Sequence, residues 1–453
     1  KQYLDCTGDC RLGLEAGATM RSGREARAEF GESLAPEERD DQTLGSSILF
    51  TSKKFDKPMP FTPPSWARKV TKRQLLKRSV SSWEYGYWWI EWGGQISTIR
   101  DNERIRFELL SIVMGVWDYI KNSGDHPDSA NWALDWVGMM PGKRGSRRID
   151  GDHILTQLDL MGLSRDDFED AVAIGGWPLD DHPPGGFDRE DIPPNISILT
   201  PVYNIPLRAL YSKNVSNLLM AGRNISATHA AFTSTRVMAT CAVVGQAAGT
   251  AAALCVRDGI TPRELYTDKG KLKALQQTLL RDDQSIVGRV NEDPLDLARQ
   301  AKVSASGATP ATPATKLLDG HVRDEPGGAP HRWSAPLESD GAWIELAWDT
   351  PQAIRQVQIT FDTGFQRQLT LTSSDGANKG IIRAPQPETA RDYKLLAKVE
   401  GRDGWTELAA VTKNHQRLRR HDFEPARIQA LRLHITATNG DPLARVFEVR
   451  CYA

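Results

Sequence analysis

The sequence lacks the features from which composition alone would define a function. Its 453 residues include only five cysteines, and none of them forms the CxxC pair that is typical of zinc sites. Neither sign of charge is in excess, because 57 Lys and Arg residues face 58 Asp and Glu residues. We therefore expect packing thiols rather than a disulfide framework, and neither nucleic acid nor an anionic membrane as a partner.

Long apolar runs and an export signal are also missing. No apolar run approaches the roughly 20 residues that a membrane span needs, and the opening residues KQYLDCTGDC contain no apolar signal segment. We predict no membrane span and leave localisation open, favouring the periplasm or secretion. The length exceeds what one hydrophobic core usually organises, so more than one domain is expected.

Two regions with different patterns follow one another. Apolar residues at a 3.6-residue period predict a helix from Asp101 to about residue 122, a buried strand is expected at 217–221, and a helix of small residues at 236–254. After an Ala/Thr/Pro-rich stretch, short alternating segments are typical of an antiparallel sandwich. We predict a multidomain protein, α/β over residues 1–295 and all-β over 296–453.

A series of blocks spans most of residues 1–257 in a fixed order. They are LDCTGDCRLGLEAGA (4–18), GYWWIEWGG (86–94), FELLSIVMGVWDYIKN (107–122), SRRIDGDHILTQLDL (146–160) and NLLMAGRNISATHAAFTSTRVMATCAVVGQAAGTAAALC (217–255). These blocks resemble a bacterial family of FAD-dependent oxidoreductases that shares the glutathione-reductase-type FAD fold. The resemblance implies FAD as the cofactor and an FAD-binding fold with an inserted α+β substrate region.

One part of that fold has no counterpart in the sequence. The family holds the FAD pyrophosphate on a strand–GxGxxG–helix unit, and no GxGxxG occurs in the chain. In the family this unit precedes the TGD block. We therefore expect the C-terminal portion of such an enzyme, with an incomplete FAD-binding fold that needs an N-terminal segment or chain to hold FAD.

The second region resembles the discoidin, or coagulation-factor type C, family. The motifs are VSAS (303–306), KLLDG (316–320), RWS (332–334), WIEL (343–346) and PQAIRQVQITFD (351–362). The resemblance implies a galactose-binding-like jelly roll and a carbohydrate partner. Asp319, Asp324 and Trp333 fall where related modules bind calcium or glycans, although a simple turn also explains Asp319 before Gly320.

Cofactor contacts are predicted at two turns and one loop. The TGD turn of the family passes close to the cofactor, and a glycine in the second turn would let the backbone approach the ribityl chain or the pyrophosphate. The loop is expected to open the small-residue helix, whose N-terminal dipole would stabilise charge on reduced flavin. The candidates are Thr7, Gly8 and Asp9, then Gly222 and Arg223, then Ser234, Thr235 and Arg236.

Catalytic and substrate residues are predicted from residue type and position. Histidine, with an ordinary pKa of about 6.5, suits a base that removes a hydroxyl proton; His229 is the first candidate, and His182, in the Pro/Gly-rich loop 175–195, the second. For the substrate, we expect the aromatic side chains of Tyr87, Trp88 and Trp89 to stack on a sugar ring. We expect Arg144, Arg147 and Arg148 to bind a carboxylate or sulfate group together, as a shared grip. Alternatively, the aromatic residues form part of the hydrophobic core, and the arginines lie in a solvated basic turn.

Together these features predict a flavin-dependent oxidoreductase that oxidises a sugar-like alcohol by hydride transfer to FAD. Two alternatives stay open. One is a non-catalytic carbohydrate-binding or adhesion protein, and the other is one piece of a split flavoenzyme.

Overall fold

The computed structural model describes residues 1–80, 82–164, 166–325, 327–371 and 378–453. The chain divides into two compact units, Lys1–Gln276 and Gln277–Ala453. This division lies before the predicted boundary at 295/296, and the assignment of residues 1–295 and 296–453 to separate domains stays a prediction.

The helices include both of those that periodicity predicted. In chain order they are α1 (Arg11–Glu15), α2 (Arg27–Phe30), α3 (Lys72–Leu75), α4 (Asn102–Asn122), α5 (Gln157–Leu160), α6 (His229–Thr235), α7 (Met238–Asp258), α8 (Pro262–Thr267) and α9 (Lys269–Arg281). Helix α4 begins directly after Asp101, as predicted, and buries one apolar face around Leu109, Val113 and Trp117. That face joins the aromatic residues Phe50 and Trp89 in a hydrophobic core.

The strands of the first unit are short. They are β1 (Tyr3–Asp5), β2 (Met20–Arg21), β3 (Ser46–Ser47), β4 (Phe50–Lys54), β5 (Glu91–Trp92), β6 (Trp132–Val137), β7 (Gly142–Lys143), β8 (Arg148–Ile149), β9 (Ala171–Gly175), β10 (Leu179–Asp181), β11 (Ile196–Ile198), β12 (Tyr203–Pro206) and β13 (Leu218–Met220). β1 and β13 pair in parallel, with Tyr3 opposite Leu218 and Asp5 opposite Met220. The predicted strand at 217–221 is thereby confirmed.

The second unit is an antiparallel β-sandwich. Its strands are β14 (Lys302–Ala305), β15 (Trp333–Pro336), β16 (Ala342–Phe361), β17 (Ala390–Val399), β18 (Thr406–Val411), β19 (Leu418–Thr438) and β20 (Leu443–Tyr452). They form one seven-stranded sheet in the order β15-β20-β16-β19-β17-β18, with β14 also on β16. Alternate residues of β16 and β19, such as Ile344 and Leu433, point into one apolar core, which confirms the predicted two-residue alternation.

Helix α7 is long and apolar enough to cross a membrane by length and composition, and 44% of its apolar window is buried. Core helices of soluble proteins meet the same criterion, so this finding is weak evidence for a span. A Cβ placed on Gly245 or Gly249 of α7 would meet no atom of the described residues within 4 Å outside the helix's own nearby backbone.

Candidate functional site

The parallel pairing of β1 and β13 brings the two predicted cofactor turns together. Both strands end at the same edge of the sheet, so the TGD turn after β1 lies beside the Gly222 turn after β13. The carboxyl ends of parallel strands are where ligands bind in open α/β sheets. Residues about 215 positions apart in sequence therefore meet at this edge.

Asp5, the last residue of β1, fixes the TGD turn. Its buried carboxylate accepts hydrogen bonds from the Thr7 amide (3.0 Å), the Thr7 hydroxyl (2.7 Å) and the Gly13 amide (2.8 Å). Asn224, after the second turn, donates to the Asp5 backbone carbonyl at 3.1 Å. The Thr7 amide and hydroxyl therefore stabilise the TGD turn.

Arg223 joins the two turns. Its guanidinium donates to the Gly8 carbonyl and, at 2.8 Å, to the Asp9 carboxylate. Burial alone would raise the pKa of Asp9, but hydrogen bonds from Lys143, Arg223 and Ser146 outweigh it, so the pKa is lowered. Asp9 is thus an ionised acceptor inside the protein.

The turn at Gly222 fits a cofactor backbone contact. Gly222 has φ +100°, in the left-handed region that favours glycine, and a Cβ placed there would meet only Asn224 Oδ1, at 3.4 Å. Asn224 Oδ1, Thr235 Oγ1 and Arg236 Nε are buried without a hydrogen-bond partner among the described residues. The Gly222 turn, with the unsatisfied Asn224 Oδ1 beside it, suits a polar, ribityl-bearing cofactor such as FAD.

The prediction for Ser234, Thr235 and Arg236 needs correction. Ser234 and Thr235 form the last turn of α6 and are fully buried, so they do not make a loop that opens the small-residue helix. That helix, α7, begins at Met238 after Val237. Ser234 instead bonds Tyr203 at 2.6 Å. The sequence showed no break between the two helices, because the segment 229–258 contains neither proline nor a turn motif.

His229 is the first residue of α6 and is buried, with 4% of its surface exposed. Its Nε2 lies 3.3 Å from a carboxylate oxygen of Asp181, while its Nδ1 is buried without a partner among the described residues. Its backbone amide donates to Glu25 at 2.7 Å. Since a carboxylate only accepts, the neutral ring carries its proton on Nε2 and a lone pair on Nδ1.

His182 is bonded to a carboxylate on each side. Nδ1 lies 2.7 Å from Glu91 and Nε2 lies 3.1 Å from Asp180. Burial opposes the positive charge, but these two hydrogen bonds outweigh it and raise the pKa of His182. With a carboxylate on each ring nitrogen and 2% exposure, His182 offers no free acceptor atom for a substrate proton. It is buried directly after β10, where the two carboxylates favour its protonated form.

Arg236 and Arg144 complete this charged group. Arg236 contacts Asp180 at 3.3 Å, and Arg144 contacts Glu91 at 3.2 Å. Burial, together with the nearby charge of Arg144, lowers the pKa of Arg236 to about 10. For Asp180, burial raises the pKa, but the His182 hydrogen bond and charge lower it to about 2. Each cation of the group therefore has a carboxylate partner within it.

The three predicted arginines do not form one grip. Arg144 bonds Ser47 at 2.7 Å and the Trp88 carbonyl at 2.8 Å, and Arg147 bonds the Asp9 carbonyl at 3.0 Å. Arg148 is fully buried on Glu25 at 2.8 Å. Both the shared grip and the solvated turn are therefore wrong, because the three arginines bond different groups inside the protein.

The aromatic run is mostly core. Tyr87 and Trp89 are 8% and 3% exposed and stack on each other, with ring centroids 4.8 Å apart. Their assignment to substrate is wrong, because they pack against α4. Trp88 points the other way, is 39% exposed, and lies 5.3 Å from the His182 ring. It is the member of the run that can contact a ligand.

In the second unit the predicted calcium and glycan residues have internal partners. The Asp319 carboxylate accepts from His331 Nδ1 at 2.8 Å, and Asp324 accepts from the His331 amide at 2.7 Å. Within the described ranges no group of three or more His, Cys, Asp or Glu side chains is arranged to hold a metal ion. Trp333 is fully buried in β15 and bonds the Gly307 carbonyl, so it cannot contact a glycan.

Several residues of the site were not found from the sequence. Asp180 and Asp181 stand directly before His182, and that run of three polar residues was the available signal. Glu91 lies within the aromatic run, and Glu25 lies in an unremarkable polar segment. No sequence pattern distinguishes these two glutamates, because their importance comes from burial.

The fold and the paired turns define a flavin-type α/β protein joined to a β-sandwich. The chain matches the family described as FAD dependent oxidoreductase over residues 1–279. That match covers more than half of its length, so the chain belongs to this family, as the resemblance predicted. Residues 296–370 match a domain of unknown function, DUF7402. No curated protein matches the chain.

Solved structures are similar to the C-terminal part of the chain. Chitosan-binding module 1 from a chitosanase/glucanase of Paenibacillus sp. IK-5 has 17% identity and a TM-score of 0.25, covering 35% of this chain and 98% of that chain. The family 32 carbohydrate-binding module from Clostridium perfringens NanJ, in complex with galactose, has 13% identity and a TM-score of 0.26, covering 34% and 96%.

Proposed function

We propose that this protein oxidises an alcohol group of a sugar-like substrate, with FAD as hydride acceptor and His229 as the base. The observation that carries the proposal is the His229 ring. Asp181 orients the ring through Nε2, and the lone pair on the buried Nδ1 has no partner in the part of the chain that the structure describes. A base of this kind needs a fixed tautomer and a free acceptor atom.

FAD, when bound, supplies the acceptor for the hydride that leaves the substrate carbon. Gly222 would hold it through its backbone, and Arg236 would offer its Nε, which has no partner among the described residues. Because the chain has no GxGxxG, we further propose that tight FAD binding needs a polypeptide that supplies this unit. The test is the flavin absorbance of residues 1–453 with and without such a partner, the split-enzyme arrangement.

His229 would take the hydroxyl proton on Nδ1 while Asp181 stabilises the resulting imidazolium. His182 is the weaker candidate base, since both of its nitrogens already bond carboxylates. Trp88, exposed beside His182, would stack on a sugar ring.

The test is His229→Ala in the flavin-loaded enzyme. We expect kcat to fall by about 10²–10⁴-fold, the usual contribution of a general base, with flavin content unchanged. Asp181→Asn should lower kcat less, because it removes orientation and leaves the base. Loss of flavin from His229→Ala would instead identify His229 as a cofactor or packing residue, and full activity would refute the assignment.

Carbohydrate binding by the second unit is a second candidate function, favoured by one surface feature. The Arg432 guanidinium lies 4.2 Å from the Trp343 ring and 4.4 Å from the Trp405 ring. Lys398 Nζ lies 5.2 Å from the centroid of the Trp405 ring. Aromatic faces flanked by hydrogen-bond donors suit the C–H face and the hydroxyl groups of pyranose sugars.

Affinity electrophoresis of the full chain tests this candidate. We expect a gel containing soluble polysaccharide, either polygalacturonate or chitosan, to retard the protein, and Trp343→Ala and Trp405→Ala to abolish the retardation. Trp66→Ala, at a 56% exposed tryptophan in the first unit, is the matched control and should change nothing. Equal retardation of all variants would reject the surface.

A further inference from the structure

Three cationic side chains surround Asp9 in the TGD turn. Lys143 Nζ and Arg223 Nη2 donate to its carboxylate, the latter at 2.8 Å, and Arg147 Nε donates to its backbone carbonyl at 3.0 Å. Within the described residues Arg147 forms no ion pair with a carboxylate. One carboxylate therefore faces three cations at the end of β1.

The nearby Asp5 carboxylate does not remove this excess of positive charge. It is buried and accepts hydrogen bonds from neutral donors, such as the amides of Thr7 and Gly13. Even with Asp5 counted, the cations outnumber the carboxylates. Like charges held this close repel one another, and an anion bound among them would relieve the repulsion.

Solvent reaches the cluster. The side chains of Lys143, Arg223 and Asp9 are 21%, 17% and 22% exposed, so they are neither sealed in the core nor freely solvated. A partly desolvated cation attracts an anion more strongly than a fully solvated one does, because water and salt screen it less. The cluster is therefore accessible to a charged ligand and suited to hold it.

The cluster also lies at the edge where a ligand is expected. It follows the ends of β1 and β13, and open α/β sheets bind ligands at the carboxyl ends of their strands. The Arg223 guanidinium is held against Gly8, since a Cβ placed there would lie 3.0 Å from Arg223 Cζ. At the neighbouring turn, a Cβ placed on Gly222 would meet only Asn224 Oδ1 of the described residues, at 3.4 Å, so the backbone is open there.

We propose that Lys143, Arg147 and Arg223 form an anion site that takes the diphosphate group of FAD. Each phosphate of that group carries a negative charge, which offsets the excess positive charge of the cluster. A GxGxxG turn offers backbone N–H groups, which bind phosphate oxygens without a full positive charge. The counter-charge therefore comes from this chain, and the N–H groups come from the polypeptide that supplies the GxGxxG unit. This inference rests on the proposed function, in which FAD is the cofactor.

Isothermal titration calorimetry of the full chain tests the site without turnover. The probes are FAD, riboflavin, which lacks the phosphates, and inorganic pyrophosphate. We expect pyrophosphate to bind, and FAD to bind more tightly than riboflavin by about tenfold or more, equivalent to about 1.4 kcal/mol. Raising the ionic strength from about 0.01 M to about 0.15 M should weaken the binding of FAD and pyrophosphate and leave that of riboflavin unchanged.

Arg147→Gln should weaken the binding of FAD and pyrophosphate by about fivefold or more, equivalent to about 1 kcal/mol, and Arg147→Lys, which keeps the charge, should restore most of it. Arg11→Gln is the matched control, because Arg11 pairs with Glu15 on the surface of α1; it should change nothing. A thermal melt checks folding, and Lys143→Gln is the second variant if Arg147→Gln is not folded.

The site is refuted if pyrophosphate does not bind, if Arg147→Gln binds both anions as the parent does, or if Arg11→Gln weakens binding equally. Failure of the proposed function would look different. If the flavin-loaded enzyme oxidises no alcohol but FAD and pyrophosphate still bind in an Arg147-dependent way, the anion site stands and the reaction assignment falls.

Discussion

His182 is the residue whose charge depends most clearly on its neighbours. Burial opposes its protonation, yet hydrogen bonds to Asp180 and Glu91 raise its pKa. A group with a raised folded-state pKa binds its proton more tightly in the native state. Its stabilisation is therefore complete below the unfolded pKa of about 6.5 and is lost as pH rises through the folded pKa.

We predict that the unfolding free energy of the full chain contains a component that declines as pH rises above about 6.5. His182→Gln should remove this component and cost about 3–5 kcal/mol at pH 6, because it leaves Glu91 and Asp180 without their shared cation. Urea unfolding at several pH values measures both. His415→Gln, at an exposed histidine, should be neutral; an unchanged pH dependence in His182→Gln would contradict the prediction.

The contribution of Asp180 to the unfolding free energy has the opposite pH dependence. Its folded pKa of about 2 lies below the ordinary value, so its stabilisation is present above about pH 4 and is lost as pH falls towards 2. His182 and Asp180 together therefore stabilise this cluster most between about pH 4 and about pH 6.5.

Helix α6 is the element on which the site depends. Thr228 caps it, accepting from the Ala231 amide at 3.2 Å and donating to the buried Glu32 at 2.6 Å. Burial raises the pKa of Glu32, so the hydroxyl also satisfies a carboxyl group that is costly to bury. The helix start, and with it His229, is held by side chains distant in sequence.

We predict that Thr228→Ala lowers the unfolding free energy by about 2–3 kcal/mol, since it removes both a cap and a buried hydrogen bond. Thr228→Ser, which keeps the hydroxyl, should cost less than about 1 kcal/mol. Thr261→Ala, in the exposed capping box of α8, gives the cost of a cap alone. Equal losses for Thr228→Ala and Thr261→Ala would show that the Glu32 contact contributes nothing.

The sequence predicted α4, β13 and the sandwich alternation, because each depends on local periodicity that survives folding. It also predicted that the Gly222 turn and the TGD turn serve one site. It placed the start of α7 wrongly and missed Glu25, Glu91 and Asp181. Glu91 lies on β5, Asp181 lies on β10, and Glu25 accepts from the His229 amide at the start of α6. Their roles depend on burial, and the sequence does not show which charged residues are buried.

At the scale of the whole molecule, the question is where the second unit begins. Residues between 277 and 296 bond its last strand, β20. Asn291 donates to Glu448 at 3.0 Å, Asp293 accepts from Tyr452 at 3.2 Å, and Asp296 accepts from the Cys451 amide at 2.9 Å. Glu448 and Arg450 are 2% and 0% exposed, so these contacts satisfy groups inside the sandwich.

We predict that a fragment of residues 277–453 unfolds cooperatively and that a fragment of residues 300–453 is less stable by about 3 kcal/mol or more. The shorter fragment removes the hydrogen bonds that Asn291, Asp293 and Asp296 make with Glu448, Tyr452 and the Cys451 amide, and each buried group that loses a partner costs about 1–3 kcal/mol. Urea unfolding followed by far-UV circular dichroism compares the two. Asn291→Ala in the longer fragment should reproduce part of the loss. Equal stability of the two fragments would place the domain boundary at 295/296, where the composition changes, and would reduce residues 277–295 to a linker.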